Sequence, residues 1–427
     1  MDRRSKTHNI KKIALIIGFL LVCVTLLLNE QVLAGLIPDY KAATPPVLKI
    51  TVLMADAIIA LVIIFLVINR KPKARIILDV FVGIGFTLLL LVGIEAVFYY
   101  LNRKDPLKTA ATLELIVAQD SHDVRLAGKQ PQSFFQPDDW LGYKPIPNAQ
   151  VAASRKKGEE LLYDVIYSSD EYGRRVTPIE NLEPVSYFVL LFGDSFAFGE
   201  GVNDNETLPY YVSQLTSGSR VYNYGVGGYG PQQMLAKLQS GELSTEIAED
   251  KAQGILVYVF IRQHIGRVIG SMWVHNRQGD VMPYYYLDTN DTLKRNGNFV
   301  SGRPMISFIY NIAGKSQTLD YFGVSFPLRV SDRDLKTTAK IFEESRRLFK
   351  EAFNSDQFYV LIYPNLGIEE FLPYLEAADI NYLDYSTLPE AHNEDFWLGE
   401  GHPTAKAHRI VAERLIEDLE LPKESKE

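Results

Sequence analysis

The chain has 427 residues, enough for one large domain with an appendage or for two ordinary domains. Its net charge of −8 and sequence pI of about 5.5 give no basic surface of the kind that binds nucleic acid. The single cysteine, Cys23, excludes an intrachain disulfide and a paired-cysteine metal site.

Three apolar runs occupy the N-terminal quarter, at residues 12–34, 48–69 and 76–101. Each is long enough for a helix to cross a hydrocarbon core of roughly 30 Å at about 1.5 Å per residue. We therefore predict that residues 1–104 form a membrane anchor of three transmembrane helices.

The charges beside these runs predict the orientation of the chain. The segment MDRRSKTHNIKK and the turn at 70–75, which carries four basic residues, are positive, whereas the loop at 35–47 holds one acid and one lysine. Because positive loops stay cytoplasmic, we expect a multi-pass protein of the inner cell membrane with a cytoplasmic N-terminus. Everything after Asn102 is then extracytoplasmic, or periplasmic, and a cleaved signal peptide at 12–34 would leave it there.

Asp56 lies in the interior of the second apolar run and Glu95 in the interior of the third. Counting residues from the outer ends puts them at similar depth, so contact between them is possible. One interpretation is a polar site in the outer leaflet, and the other is a hydrogen bond between packed helices.

Residues 105–185 read as a connecting region, with a short helix at 107–119 and the string DDWLGYKPIPN at 138–148, whose Pro and Gly spacing predicts turns. From Ser186 onward, short continuous apolar runs alternate with helical periodicity, which indicates a parallel sheet covered on both faces. The predicted strands are 187–192, 220–225, 255–260 and 358–363, and the predicted helices are 205–217, 231–243, 333–354, 366–377 and 403–420.

Residues 268–331 interrupt this alternation. They include MPYYYL at 282–287 and show no clear helical period, so we expect an insertion. A lid or binding loop is one interpretation, and a satellite hairpin whose tyrosines pack on the sheet rim is the other.

The first buried strand leads directly into GDSFAFGEGV at 193–202. Ligands of open parallel sheets bind at the carboxyl ends of the strands, so Ser195 is placed where chemistry would occur. Gly193 and Gly199 permit a sharp turn there.

The string GDSFAFGEGV, with VYNYGVGGYGPQQ at 221–233 and EGHPTAKAHRIVAERL near the C-terminus, resembles the SGNH (GDSL-type) hydrolase family over roughly residues 135–420. LGYKPIPN and DEYGRR upstream resemble the preamble of its membrane-linked bacterial members. The resemblance implies a flavodoxin-like three-layer α/β/α domain over 186–421 that hydrolyses or transfers acyl groups. No P-loop, GxGxxG string or metal-ligand spacing appears, so we expect neither cofactor nor metal.

By position in these motifs, Ser195 matches the nucleophile and His402 the general base that must take its proton. A lone histidine is more often structural, but His402 is followed by Pro403 and an amphipathic helix. Glu400 is the first choice for the acid that orients the imidazole, and Asp395 is the second.

The resemblance also implies donors for an oxyanion. They are the backbone N–H of Ser195, Gly228, and Gln263 at the position where the family has an asparagine.

Two functions remain open at this point. The first is a membrane-anchored esterase or acyltransferase acting on O-acyl esters of cell-envelope glycans or lipids, and a transferase would need a membrane-bound partner that donates acyl groups. The second is a non-catalytic, membrane-bound glycan-binding or scaffold protein that retains the fold, suggested by Gln263 and by Gly399 at the usual acid position.

Overall fold

The protein is seen here as a computed structural model that describes residues 85, 87, 90–99, 102, 134–157, 159–178, 185–247, 252–277, 279, 281–364 and 368–424. The chain divides into two compact units, Met1–Asp105 and Pro106–Glu427.

Within the first unit, residues 90–99 are helical, and Glu95 lies half-buried in that helix. The predicted spans 12–34 and 48–69, Asp56 and the predicted helix 107–119 fall outside the described residues, and the span 76–101 is described only in part. Among the described residues, none of the helices combines the length and the apolar character that a membrane crossing requires.

The second unit contains eleven strands and twelve α-helices within its described residues. The strands are β1 (Phe135–Asp138), β2 (Gly142–Pro145), β3 (Gln150–Lys157), β4 (Glu160–Ser168), β5 (Tyr187–Gly193), β6 (Ser219–Gly225), β7 (Gln253–Phe260), β8 (Pro283–Leu287), β9 (Leu293–Asn298), β10 (Phe358–Ile362) and β11 (Asn381–Asp384). The helices are α1 (Ser195–Phe198), α2 (Leu208–Leu215), α3 (Pro231–Ser240), α4 (Leu243–Glu246), α5 (Gln263–Val268), α6 (Met272–Arg277), α7 (Phe299–Gly302), α8 (Pro304–Ala313), α9 (Gln317–Tyr321), α10 (Asp332–Phe353), α11 (Leu372–Ala377) and α12 (Ala405–Asp418).

Five strands form one parallel sheet in the spatial order β6-β5-β7-β10-β11. Numbered along the chain, this order is 2-1-3-4-5, which is that of flavodoxin. The predicted α/β domain with a parallel, flavodoxin-like sheet is therefore confirmed.

Helices cover both faces of this sheet. On one face, α2 and α12 pack against alternate side chains of the central strands, such as Val189, Val257 and Leu361. On the other face, α3, α10 and α11 pack against the intervening ones, such as Leu190 and Tyr258. Because both faces are covered, the strands read as continuous apolar runs in the sequence.

Four of the five sheet strands match the predicted runs, and the predicted helices correspond to α2, α3, α10, α11 and α12. Strand β11 was missed because it is a short edge strand whose residues are half-buried or exposed, so it shows no apolar run. Helix α11 is shorter than expected and begins at Leu372.

The predicted connecting region is more structured than its Pro and Gly spacing indicated. Strands β1 and β2 form a hairpin whose turn is held by Asp138, which accepts hydrogen bonds from the N–H groups of Trp140 and Leu141. Strands β3 and β4 form a second hairpin, and its buried side chains pack on Phe198 of α1. This part of the chain thus belongs to the body of the second unit.

The predicted insertion contains the hairpin β8–β9 and four short helices, α6 to α9. The sequence shows no clear helical period there because these helices are too short and too evenly apolar to produce one. Tyr285 of β8 is buried against Leu235 of α3 and Ile341 of α10, so this hairpin packs on helices that cover the sheet.

Candidate active site

The turn after β5 presents Ser195 at the carboxyl edge of the sheet. Asp194 caps α1 by accepting a hydrogen bond from the N–H of Phe196, and Ser195 is the first residue of that helix. Gly193 is needed before it, because a Cβ there would lie 2.9 Å from the Cβ of Ala197 and 3.0 Å from the carbonyl oxygen of Val259. The sharp turn therefore aims the serine hydroxyl away from the sheet.

The structure brings Ser195, His402 and Glu400 into one hydrogen-bonded chain. Nε2 of His402 lies 2.8 Å from Oγ of Ser195, and Nδ1 lies 2.7 Å from Oε1 of Glu400. The backbone of His402 is also fixed, because its carbonyl oxygen accepts a hydrogen bond from the N–H of Leu398 at 2.7 Å. This arrangement has the geometry of a nucleophile, a base and an orienting acid.

Charge around the imidazole favours its protonated form. Burial disfavours the charged ring, but the carboxylates of Glu200 and Glu400 outweigh burial and raise the pKa of His402 to about 9. For Glu400 burial raises the pKa, yet the contacts with His402 and Arg155 hold it below its usual value. Both shifts favour an imidazolium paired with a carboxylate.

Two residues of this cluster were not predicted from the sequence. Glu200 places Oε2 3.5 Å from Nε2 of His402, so a second carboxylate lies beside the nitrogen that faces Ser195. Arg155 of β3 reaches Oε2 of Glu400 at 2.7 Å and Oε1 of Glu200 at 3.7 Å. Glu200 stands within the GDSFAFGEGV string, whereas nothing local in the sequence marks a residue on a distant hairpin such as Arg155.

A buried arginine fixes the loop that bears Glu200. Arg175, from the DEYGRR string, is fully buried and donates to the carbonyl oxygens of Phe198, Gly199 and Val202 at 2.9, 2.5 and 2.6 Å. Its Nε also donates to Asp204 at 3.0 Å. Three carbonyl groups of the loop thus accept from one guanidinium. The DEYGRR string therefore supplies the side chain that holds the loop after Ser195.

Beneath Ser195 lies a buried ionic cluster around Asp194. Nη1 of Arg267 is 2.6 Å from Oδ2 of Asp194 and also donates to the carbonyl oxygen of Tyr229 at 2.8 Å. Burial alone would raise the pKa of Asp194, but the guanidinium of Arg267 holds it well below its usual range. Arg267 therefore joins the nucleophile turn to the loop that follows β6.

That loop contains the predicted oxyanion donor Gly228, which has a positive φ of 83°. Its neighbour Gly227 lies along the cleft, since a Cβ there would come 3.9 Å from Oε2 of Glu200. The hydroxyl of Tyr143 in β2 donates to the Gly227 carbonyl at 2.7 Å. The first hairpin therefore fixes the backbone of this glycine-rich loop.

The structure places Gln263 differently from the sequence expectation. It is the exposed first residue of α5, and none of the hydrogen bonds among the described residues comes from its side chain. The next residue, His264, is the one buried behind the nucleophile, with Nε2 3.3 Å from Oδ2 of Asp194. Burial lowers the pKa of His264 to about 4, so this ring is neutral.

Asp395 and His408 lie apart from the hydrogen-bonded chain. Asp395, the second choice for the acid, is exposed and pairs with Lys406. His408 is fully buried in α12, and burial lowers its pKa to about 3, in keeping with a packing role.

Among the described residues, Glu200, Glu400 and His402 could offer ligand atoms within 4.8 Å of one another to a cation. The guanidinium of Arg155 already balances the two carboxylates, and Nε2 of His402 already faces the Ser195 hydroxyl. The charge arrangement therefore favours a hydrogen-bonded site.

Comparison with known proteins adds only structural likenesses. No family model matches the sequence, and no curated protein matches it. A member of the lipolytic protein G-D-S-L family from Veillonella parvula is 14% identical, with a TM-score of 0.31, and the match covers 54% of this chain and 97% of the other. The psychrotrophic esterase EstA from Pseudoalteromonas sp. is 13% identical, with a TM-score of 0.30, over 55% and 96% of the two chains. TM-scores this low support no argument about function.

Proposed function

We propose that this protein is a serine-dependent ester hydrolase of the SGNH kind. The observation that carries the proposal is the chain of contacts from Ser195 Oγ through the His402 imidazole to the Glu400 carboxylate, at 2.8 and 2.7 Å. A hydroxyl becomes a useful nucleophile only when a neighbouring base can accept its proton.

In the proposed reaction, neutral His402 takes the proton of Ser195 as Oγ attacks the ester carbonyl. The negative oxygen that forms is met by the N–H groups of Ser195 and Gly228. The intermediate then collapses, its carbon–oxygen bond to the alcohol breaks, and imidazolium returns the proton to the departing alkoxide. An acyl group remains on Ser195.

Deacylation repeats these steps with water or another hydroxyl as the attacking group. His402 accepts its proton and passes it to Oγ of Ser195 as the acyl–serine bond breaks. Transfer to a sugar hydroxyl gives an acyltransferase, for which a membrane-bound acyl donor is the expected partner, and transfer to water gives an esterase.

We further propose O-acylated glycans or lipids of the cell envelope as substrates. The support is the sequence: three apolar runs and the distribution of positive loops predict a tethered domain on the outer side of the inner membrane. An enzyme held there meets envelope polymers and lipids rather than cytosolic metabolites.

The test uses the full chain in detergent and 4-nitrophenyl acetate as substrate. Ser195→Ala is expected to lower the turnover rate by about 10⁴- to 10⁶-fold, as in other serine–histidine enzymes. Ser244→Ala, at an exposed serine of α4, is the matched control and is expected to keep the native rate. Labelling by a fluorophosphonate that disappears only in the Ser195 variant would support the acyl-enzyme.

Equal turnover by the native chain and the Ser195→Ala variant, with no labelling of either, would contradict the proposal. That result would favour the non-catalytic glycan-binding alternative, for which retention of the native chain on acetylated envelope glycan is the direct measurement.

A further inference from the structure

Helix α8 exposes apolar side chains and buries a polar one. Within Pro304–Ala313 the one buried side chain is Ser307, whose hydroxyl donates to the carbonyl oxygen of Phe299 at 2.7 Å. The exposed side chains are apolar, with Met305 78% and Phe308 65% accessible. A surface helix normally buries its apolar stripe and exposes its polar residues.

The exposed apolar side chains continue onto the segments packed around α8. We name as the outer apolar patch the following exposed residues of the insertion: Trp273, Met305, Ile306, Phe308, Ile309, Ile312, Phe322, Leu328 and Val330.

The patch residues lie on three segments, which are α6, α8 and residues 322–330. Hydrogen bonds join these segments. The N–H of Met272 donates to the Phe326 carbonyl at 2.7 Å, and Nδ2 of Asn276 donates to the Tyr310 carbonyl at 3.2 Å. These bonds join the segments that carry the patch. Clusters of exposed apolar side chains on a protein surface commonly mark a binding site.

Charge around the patch favours an anionic partner. Residues 303–330, which carry most of the patch, contain three cations, Arg303, Lys315 and Arg329, and one acid, Asp320, which gives +2. The chain as a whole carries −8. A second copy of the chain would bring the same positive segment to this surface, so like charges would oppose self-association there.

We propose that the outer apolar patch docks into the headgroup layer of an anionic lipid bilayer. Aromatic and aliphatic side chains beside lysine and arginine are what a segment lying in that layer requires, since the apolar groups enter the acyl boundary and the cations meet lipid phosphates. Met305, Phe308 and Ile312 on α8 are the inserted side chains, and Lys315 and Arg329 provide the cationic contacts. This inference does not depend on the ester chemistry.

Docking would orient the sheet against the lipid surface. The insertion begins directly after β7 and α5, at the carboxyl edge of the sheet where Ser195 is presented. Docking through the patch would therefore place the segment that leaves this edge of the sheet against the headgroups.

The test measures probe depth in vesicles. Cys23→Ser in the full chain removes the native thiol, and an environment-sensitive fluorophore is attached at Phe308→Cys or Ile312→Cys. Arg409→Cys, at an exposed position of α12 on the sheet face that α3 and α10 do not cover, carries the control probe. The chain is placed in vesicles of phosphatidylcholine with phosphatidylglycerol, or of phosphatidylcholine alone, with nitroxide-labelled lipid as quencher.

We expect at least about twofold quenching at positions 308 and 312 in the phosphatidylglycerol vesicles and little at position 409. The double variant Lys315→Ser with Arg329→Ser should give equal quenching at position 308 in the two kinds of vesicle. Its thermal unfolding midpoint should stay at the native value. Equal quenching at 308 and 409, or none at either, would overturn the proposal. Concentration-dependent self-quenching at 308 without lipid would overturn it in favour of a second copy as the occupant.

Discussion

Oε2 of Glu200 lies 3.5 Å from Nε2 of His402, the nitrogen that also contacts the nucleophile Ser195. The imidazole therefore has a carboxylate beside each of its two nitrogens, Glu200 at one and Glu400 at the other. Both would stabilise the imidazolium formed in the proposed reaction, and both make the resting ring harder to deprotonate.

The first prediction is a pH profile displaced to the alkaline side. Only neutral His402 can accept the Ser195 proton, and its pKa is raised to about 9, so kcat/KM should rise with pH until about pH 9. Glu200→Gln removes one of the responsible charges and should move this rise to lower pH. Rates of the Ser195→Ala variant correct for spontaneous ester hydrolysis.

Glu413→Gln on the exposed side of α12 is the matched charge control and should leave the profile in place. A native profile that rises near the ordinary histidine pKa of about 6.5 would count against this electrostatic account.

A second prediction separates the two candidate acids. Glu400→Gln keeps the shape of the side chain but removes the charge that holds His402, so kcat should fall by about 10²- to 10⁴-fold. Asp395→Asn should change kcat less than about twofold, because Asp395 pairs with Lys406 at the surface and exposed ion pairs contribute little. Steady-state kinetics with 4-nitrophenyl acetate measure both, and a reversed order would reassign the acid.

A third prediction concerns the oxyanion donors. Gln263→Ala should leave kcat within about twofold of native, because its side chain is exposed and points to no partner among the described residues. Gly228→Ala should lower kcat on the order of 100-fold, since a Cβ strains backbone at a φ of 83° and shifts a proposed donor. A large loss in the glutamine variant would restore the family-like role that the sequence suggested.

A fourth prediction concerns stability. Arg267→Ala leaves the buried carboxylate of Asp194 without its 2.6 Å guanidinium partner and should cost about 3–5 kcal/mol of unfolding free energy. Arg347→Ala, which removes exposed pairs with Glu344 and Glu351, should cost less than about 1 kcal/mol. Urea unfolding followed by circular dichroism measures both. Similar losses in the two variants would show that Asp194 does not depend on Arg267.

The sequence predicted those features that a local pattern encodes. Buried strands such as β5 and β7 are continuous apolar runs, and the turn at Gly193 follows one of them, so both the parallel sheet and the position of Ser195 could be read directly. Glu400 was the first choice for the acid because the resemblance to the SGNH family implies an acid a few residues before His402. These features need no knowledge of distant parts of the chain.

The features that the sequence did not predict depend on contacts between distant segments of the chain. Arg155 meets Glu400 across a separation of 245 residues, and neither residue type nor spacing marks the pair. Gln263 and His264 are adjacent, and only the direction in which α5 starts decides which of them is buried. Strand β11 lacks an apolar run because its place at the sheet edge leaves it partly exposed.

The guanidinium of Arg175 beneath the nucleophile loop has a practical consequence for recombinant work. A fragment cut at Ser186, where the α/β alternation starts, would contain the whole sheet and yet lack both Arg175 and Arg155. Three carbonyl groups of the Ser195 loop would lose their common donor, and Glu400 would lose its cation. The shortest piece worth purifying therefore starts upstream of Phe134, with both hairpins included.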